Sequence, residues 1–234
     1  MAEHIYTIPL NDYFSKDDCT CAFCGIRNML ENNEIESVTG ASMMEPSIRI
    51  KTNEQGFCAK HFDMMLKVGK KLPVALIMQS HLETVANQVE KLKPEKLEKY
   101  LSGLDNDCYV CRKVDYNMSN VFSNFFDMWL KDSQFKTRVG NQKCFCLPDF
   151  QKMLLYGQKY LSKKEFLQFY ETIYNIEKKH LETLLVDIDW FCKKFDYRFK
   201  EESWKNSKDS VERSVQTVTS VYPVGKNGVS TVQG

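Results

Sequence analysis

Apolar residues recur at helical spacing along most of the chain. Between residues 54 and 80 they fall on one helical face, and Pro73 predicts a break or a fresh helix start near it. The stripe continues over 81–93, and Pro94 opens a short helix predicted to end near Leu101. Runs of alternating apolar and polar residues are scarce. The pattern therefore predicts a mostly α-helical protein with little or no sheet.

Longer helices are predicted in the second half of the chain. An aromatic helix is expected over 121–130 and another over 148–161. One or two long amphipathic helices are expected over 162–199, with Ser162 as the N-cap and Glu165 three residues further on, as in a capping box.

The cysteines form a pattern that occurs twice. In each half a C-x2-C pair is followed, 34 residues later in the first half and 35 in the second, by a cysteine with a potential ligand three residues beyond it. The first set is Cys21, Cys24, Cys58 and His61, and the second set is Cys108, Cys111, Cys146 and Asp149.

A second repeated motif supports a duplication. His-Leu-Glu-Thr occurs at 81–84 and again at 180–183. The sequence therefore predicts a duplicated, metal-stapled helical unit. Its first repeat is expected over 5–101 and its second over 104–204, and 205–234 is expected to hold a helix end and a flexible tail.

The spacing of the first set favours a zinc site. Two thiolates separated by two residues can face one ion, and a second pair from elsewhere in the chain completes a tetrahedron. Cys21, Cys24, Cys58 and His61 would supply three sulfurs and one imidazole nitrogen. Gly25 would suit a tight turn after the first pair.

The second set leaves the fourth ligand open. Asp149 stands where His61 stands in the first set, and it can ligate through oxygen. Cys144 can instead complete a set with Cys108, Cys111 and Cys146, and this choice is preferred because thiolate is the softer donor. An open position occupied by water is a third alternative, and a degenerate site without metal is a fourth.

The other cysteines and the repeated histidines favour less specific roles. Cys19 is expected to be a free thiol, although it is a possible alternate ligand, and Cys192 is expected to be a core residue. Because residues at i and i+2 do not share a helical face, His81 and His180 are expected to have helix-surface or packing roles rather than to act with the glutamate of their motif.

Composition and charge restrict the class of protein. The 32 basic and 31 acidic side chains give a net charge of +1, so no global bias toward nucleic acid appears. The basic and aromatic run over 193–200 is diluted by neighbouring acids, and nucleic-acid binding is disfavoured. No apolar stretch is long enough to span a bilayer and no signal peptide is evident, so a cytoplasmic protein is expected.

The motifs resemble an uncharacterised bacterial family, domain of unknown function 6062. The resemblance rests on Cys21-x2-Cys24, on Gly56-Phe57-Cys58-x2-His61-Phe62, on Cys108-x2-Cys111, and on the closing block 191–202 with Trp204. It implies a helical, cysteine-rich bacterial cytosolic protein and supplies no reaction. Where that family is expected to carry C-x2-H in the second half, this chain has Cys146-x2-Asp149.

The expected function is binding or scaffolding by a helical protein with two structural zinc sites and an unidentified protein partner. No catalytic residue is assigned, since the usual nucleophile, nucleotide and zinc-protease motifs are missing. Two alternatives remain. The C-x2-C pairs can serve thiol redox or hold an iron–sulfur cluster, and an open metal position beside Asp149 can serve a small-molecule metalloenzyme.

Overall fold

The computed structural model of the chain describes residues 5–16 and 21–220. Within these ranges eleven α-helices and two 3-10 helices form, and no strand occurs, which confirms the mostly helical class. The α-helices are α1 Thr7–Phe14, α2 Ala22–Val38, α3 Pro46–Gln55, α4 Ala59–Lys67, α5 Lys71–Lys91, α6 Pro94–Asp105, α7 Tyr109–Lys131, α8 Ser133–Gly140, α9 Leu147–Tyr160, α10 Lys163–Lys193 and α11 Ser210–Thr219. The 3-10 helices are Ala41–Met44 and Tyr197–Phe199.

Prolines and caps place several helix starts where the sequence predicts them. Pro73 lies in the first turn of α5, where a missing N–H leaves no intrahelical bond unmade. Pro94 opens α6, which continues past Leu101 to Asp105. At the start of α10 the Ser162 hydroxyl accepts from the Glu165 N–H, and the Glu165 carboxylate accepts from the Ser162 N–H. This confirms the capping box.

The described residues form two compact units. The first unit combines the described residues up to Ile26 with those from Asn120 onward, and the second unit spans Arg27–Ser119. The predicted repeats, 5–101 and 104–204, divide the chain elsewhere. That these two ranges are copies of one duplicated unit stays a prediction.

An aromatic core explains why the N-terminal segment belongs to the first unit. The Phe23 ring stacks on Phe122 with a centroid distance of 4.4 Å, and the Phe14 ring lies 5.4 Å from both Phe125 and Phe135. All five side chains are buried. Buried aromatic pairs add about 1 kcal/mol each beyond the burial of area, so this cluster ties Phe14 and Phe23 to α7 and α8.

The second unit is organised around the contact between α3 and α5. The Ser80 hydroxyl donates to the Asn53 side-chain oxygen over 2.8 Å, and the His81 Nδ1 lies 3.0 Å from the Asn53 carbonyl oxygen. Gly56 has a φ of 61°, and a Cβ there would lie 3.2 Å from the His81 ring. His81 therefore has the packing role that the sequence predicts.

Other predictions have mixed outcomes. His180 Nε2 lies 2.9 Å from the Thr217 hydroxyl, which agrees with a packing role. The prediction that Cys192 is a core residue is wrong, because its side chain is exposed near the end of α10. Residues 210–219 form α11, whereas Cys19 and the expected flexible tail over 221–234 lie outside the described residues.

None of the described helices combines the length and the apolar character needed to cross a membrane.

Candidate metal centres

Eight potential ligands gather in two groups of four. Within each group the ligand atoms all lie within 4.8 Å of one another. The Cys3His site consists of Cys58, His61, Cys108 and Cys111, which all belong to the second unit. The Cys3Asp site consists of Cys21, Cys24, Cys146 and Asp149, which all belong to the first unit.

All four ligand pairs occupy the same position on a helix. The first residue of each pair directly precedes a helix, and the second lies in its first turn, so both side chains share a face. The carbonyl oxygen of the first residue accepts from the N–H four residues later, at 2.8–3.1 Å in every case. These carbonyls belong to Cys21 before α2, Cys58 before α4, Cys108 before α7 and Cys146 before α9.

Each site is therefore built from two helix N-termini. The Cys3His site uses α4 and α7, and the Cys3Asp site uses α2 and α9. The positive end of a helix dipole and its unpaired N–H groups favour the thiolate form of cysteine, which is the form that ligates metal. The local structure thus prepares anionic ligands at both sites.

The distances in the Cys3His site match a tetrahedron around one ion. His61 Nδ1 lies 3.1 Å from the Cys58 sulfur, 3.3 Å from the Cys108 sulfur and 3.5 Å from the Cys111 sulfur. The sulfurs of Cys58 and Cys111 are 3.9 Å apart. Ordinary zinc bond lengths in a regular tetrahedron place sulfurs about 3.8 Å apart, with nitrogen about 3.6 Å from sulfur. The side chains can therefore enclose a zinc ion with small shifts.

The Cys3Asp site has comparable dimensions. Asp149 Oδ2 lies 3.7 Å from the Cys21 sulfur, 3.4 Å from the Cys24 sulfur and 3.2 Å from the Cys146 sulfur. The sulfurs of Cys24 and Cys146 are 3.4 Å apart. All four side chains are at most 3% exposed, so a cation bound here would be shielded from bulk water.

Charge pairing in the Cys3His site fits a metal that replaces a proton. Burial by itself would lower the pKa of His61, but the Cys108 thiolate and the Glu31 carboxylate raise it to about 10. Burial by itself would raise the pKa of Cys108, but His61 and backbone hydrogen bonds lower it to about 6. A bound cation would supply the positive charge that the imidazolium supplies in its absence.

The Cys3Asp site concentrates acidic groups without a basic ligand. The Cys146 thiol, burial and the neighbouring Cys21 and Asp149 charges hold the pKa of Cys24 far above its ordinary value. Despite burial, hydrogen bonds from Cys146 and Cys24 hold the pKa of Cys21 well below its ordinary value. Four buried acids cannot all ionise without a compensating charge, and a divalent cation would provide it.

Glu31 orients the histidine of the Cys3His site. Its Oε1 lies 3.7 Å from His61 Nε2, and its Oε2 accepts from Lys60 over 2.7 Å. The 3.7 Å separation is longer than a hydrogen bond, so in this geometry the contact is electrostatic. A carboxylate there favours the tautomer with hydrogen on Nε2 and leaves Nδ1 to face the three sulfurs. Sequence reasoning missed Glu31, since nothing in its spacing links it to the cysteine motifs.

Glu177 supports the segment that carries Cys146. Its Oε2 accepts from the Phe145 N–H over 3.2 Å, and its side chain is buried. Burial is the main reason that the pKa of Glu177 rises to about 7. The sequence carries a signal for the burial of Glu177. Phe169, Ile173 and Glu177 recur every four residues, so they lie on the same buried face of α10.

The predicted grouping of the ligands is wrong. The sequence pairs Cys21 and Cys24 with Cys58 and His61, whereas the fold places them beside Cys146 and Asp149. The aromatic core provides one physical reason, because it carries the N-terminal segment onto the second half of the chain. The second reason lies in the other unit, where the Tyr109 N–H donates to the Gly56 carbonyl over 3.0 Å and joins the segment before α4 to the start of α7.

The position of Cys144 also differs from the preferred prediction. Asp149, and not Cys144, completes the group with Cys146. Cys144 is buried and lies beside Cys21 and Cys146 at a gap of about 10 Å³, but it lies outside the N-cap and first-turn positions that the eight grouped residues share. The assignment of metal ligands itself stays a prediction.

Gly25 has a different role from the predicted tight turn. It lies inside α2, and a Cβ at this position would be 2.5 Å from ring atoms of Tyr13. The glycine therefore allows Tyr13 to pack against the helix, and the C-x2-C pair sits in a helical turn instead of a zinc knuckle.

Comparison with known proteins identifies the family. A family model described as a family of unknown function, DUF6062, matches residues 1–225. Neither the curated proteins nor the solved structures contain a match. The match spans nearly the whole chain, including both candidate metal centres, and the chain belongs to the DUF6062 family.

Proposed function

We propose that the protein binds two structural zinc ions, one in each compact unit, and acts as a binding or scaffold protein. The observation that carries this proposal is the arrangement of four donor atoms at tetrahedral distances in both sites. Four protein ligands close the coordination sphere, and closed zinc sites are typically structural because no position is left for substrate.

The donor atoms favour zinc over an iron–sulfur cluster. Sulfur separations of 3.4 Å and 3.9 Å suit ligands around a single ion, whereas a cluster holds its cysteines further apart. Imidazole nitrogen and carboxylate oxygen are both ordinary zinc donors. Zinc at both sites also fits a role without electron transfer.

The ions would stabilise the fold by joining distant segments. The ligands of the Cys3Asp site are separated by up to 128 residues, and closing such a loop in the unfolded chain is entropically costly. A closed zinc site forms only when the unit folds, so each ion contributes several kcal/mol of folding free energy.

A binding role follows from the surface that the ions hold in place. The second unit exposes large apolar side chains, among them Leu66, Leu72 and Leu82. A partner that covers these side chains would remove apolar surface from water, which favours association. A reducing, cytoplasmic location fits the absence of disulfides among the described cysteines.

Metal analysis of protein purified without added metal or a metal-binding tag tests this proposal. Two zinc ions per chain and a colourless solution are expected. The Cys192→Ser variant is the matched control, because it removes an exposed thiol outside both sites and should keep both ions. Iron together with visible absorbance would favour iron–sulfur redox chemistry over structural zinc. Protein without metal would contradict both assignments.

A further inference from the structure

The second unit contains two helices that run outward from its core and back again. The His81 ring of α5 packs against Gly56, and the Tyr109 N–H at the start of α7 donates to the Gly56 carbonyl over 3.0 Å. Both ends of the intervening segment therefore lie beside Gly56. We call residues 82–106 of this segment the α5–α6 arm.

The arm is a helical hairpin with a short turn. The last ten residues of α5 run outward, Leu92 and Lys93 make the turn, and the twelve residues of α6 run back. Helices of these lengths reach about 15 Å and about 18 Å. None of the residues 82–106 is buried, whereas the first half of α5 buries Val74 and Ile77. The arm therefore extends beyond the hydrophobic core of the second unit.

Apolar residues nevertheless follow both helices of the arm at alternating spacings of three and four residues. This spacing places them along one face of each helix, as in the seam of a helical bundle. We call these residues the arm seam. They are Leu82, Val85, Val89 and Leu92 along and just after α5, and Leu97, Leu101 and Leu104 on α6.

The arm does not cover this seam by itself. The side chains of Leu82, Val89 and Leu101 are 56%, 48% and 41% exposed. Isolated helices of this length are only marginally stable in water and depend on the packing of an apolar face. Two helical hairpins that face each other bury such seams in a four-helix bundle. We infer that the arm pairs with the arm of a second copy of this chain, which rests on the binding role proposed above and supplies its partner.

The borders of the seam favour an identical partner over a foreign helix with charged flanks. On α5 the seam is bordered by Ala86 and Gln88, which carry no charge. The charged residues of this part of α5 lie on its other faces, and they are Glu83, Glu90 and Lys91. Charges that flank a foreign helix would lose water beside this seam without gaining a counter-charge. A second copy brings the same uncharged borders.

The charges along the arm indicate how two copies pair. The outer part, 90–99, holds four lysines and three glutamates, so its net charge is +1. The inner parts, 82–89 and 100–106, hold Glu83 and Asp105 and no basic residue, so their net charge is −2. When the two tips point in opposite directions, the outer part of each arm meets the inner parts of the other, and opposite charges approach. A two-fold axis across the middle of the arms produces this arrangement.

The size of the arm predicts a dimer of modest affinity. One face of the hairpin presents about half of its side chains, which is roughly a dozen residues from each copy. Stable interfaces typically take about 20–30 residues from each partner. A dissociation constant in the micromolar range is therefore expected.

Sedimentation equilibrium on the full-length, metal-containing protein tests this inference. Between about 1 and about 200 µM, the average mass should rise from that of one chain toward that of two. A mass of one chain throughout this range would overturn the pairing and leave the arm to a different partner. Because metal content is measured separately, a monomer that holds two zinc ions would reject the dimer and keep the zinc sites.

Two exposed positions near the end of α5 provide a matched pair of variants. Val89→Lys puts an ammonium group in the seam, so it should weaken dimerisation at least about tenfold. Asn87→Lys adds the same charge on the opposite face of the helix and should leave the dissociation constant within about twofold. Both variants should keep the helical circular dichroism and the metal content. Equal weakening by the two variants would overturn the seam as the contact.

Salt dependence tests the opposed orientation of the two arms. Raising sodium chloride from about 50 to about 500 mM screens the attraction between outer and inner parts, so the dimer should weaken. Tips that point the same way would bring the two positive outer parts together, and salt would then strengthen the dimer. A lower dissociation constant in high salt would therefore contradict the opposed orientation.

Discussion

The Nδ1 atom of His61 lies 3.3 Å from the sulfur of Cys108, although 47 residues separate them in the sequence. This contact joins the first turn of α4 to the residue that precedes α7. The same crossing occurs in the other unit, where Asp149 meets Cys24 from 125 residues away. Each C-x2-C pair therefore contacts the ligand pair of the other half of the chain.

Double variants distinguish crossed sites from sites formed within each half. The variant Cys24→Ser with Cys146→Ser removes two ligands of the same crossed site, so one zinc ion per chain should remain. The variant Cys24→Ser with Cys58→Ser damages both sites and should leave none. Sites formed within each half would give the reverse pair of results in metal analysis.

Asp149 and Cys144 can be tested against each other. Asp149→Ala should remove the ion of the Cys3Asp site, because Asp149 supplies its only oxygen donor. Asp149→Cys should retain it, since zinc accepts four thiolates. Cys144→Ser should also retain it. Metal analysis in which Cys144→Ser loses an ion and Asp149→Ala keeps both would restore the ligand set preferred from the sequence.

Glu31→Gln should weaken zinc binding at the Cys3His site. A carboxylate beside a ligating histidine is typically worth about tenfold to a hundredfold in metal affinity. Competition with a chromophoric chelator measures the effect. Glu36→Gln is the matched control, because Glu36 is an exposed carboxylate on the same helix. Equal affinities of the two variants would remove the positioning role of Glu31.

The buried carboxyl of Glu177 predicts a pH-dependent difference in stability. Its pKa rises from 4.5 to about 7, chiefly through burial, so the folded state favours the protonated form. The associated stabilisation is complete below pH 4.5 and is lost as the pH rises through 7. Glu177→Gln stays neutral and can still accept from the Phe145 N–H.

Urea denaturation at pH 5.5 and pH 8 measures this difference. The free energy of unfolding of Glu177→Gln, relative to that of the unchanged protein, should be higher at pH 8 than at pH 5.5. A relative stability that is the same at both values would show that Glu177 has no raised pKa. Glu171→Gln, at an exposed position on α10, controls for a general loss of charge.

Periodicity and caps were sufficient to predict the helices but not their grouping into units. Pro94 and the Ser162–Glu165 box mark helix starts through local chemistry, so they can be recognised in one sequence. The burial of Phe14 and Phe23 against Phe122 depends on contacts between distant segments, and no local pattern reports such contacts. The boundaries of the two compact units therefore could not be predicted from the sequence.

The candidate ligands were recognisable from their types and their three-residue spacing. The sequence did not show which pairs would meet, because the C-x2-C pairs of the two halves are chemically equivalent. Only the contacts of the folded chain distinguish them. The preference for Cys144 relied on the softness of sulfur, whereas the helical geometry places the residue three positions after Cys146 toward the site. Position on the helix decides which side chain reaches the group.

A crystal structure with anomalous diffraction recorded on both sides of the zinc absorption edge would locate the bound ions directly. Two anomalous peaks per chain are expected, one enclosed by Cys58, His61, Cys108 and Cys111 and the other by Cys21, Cys24, Cys146 and Asp149. Peaks enclosed by ligand pairs from within one half, or the absence of zinc peaks from both groups, would contradict this expectation.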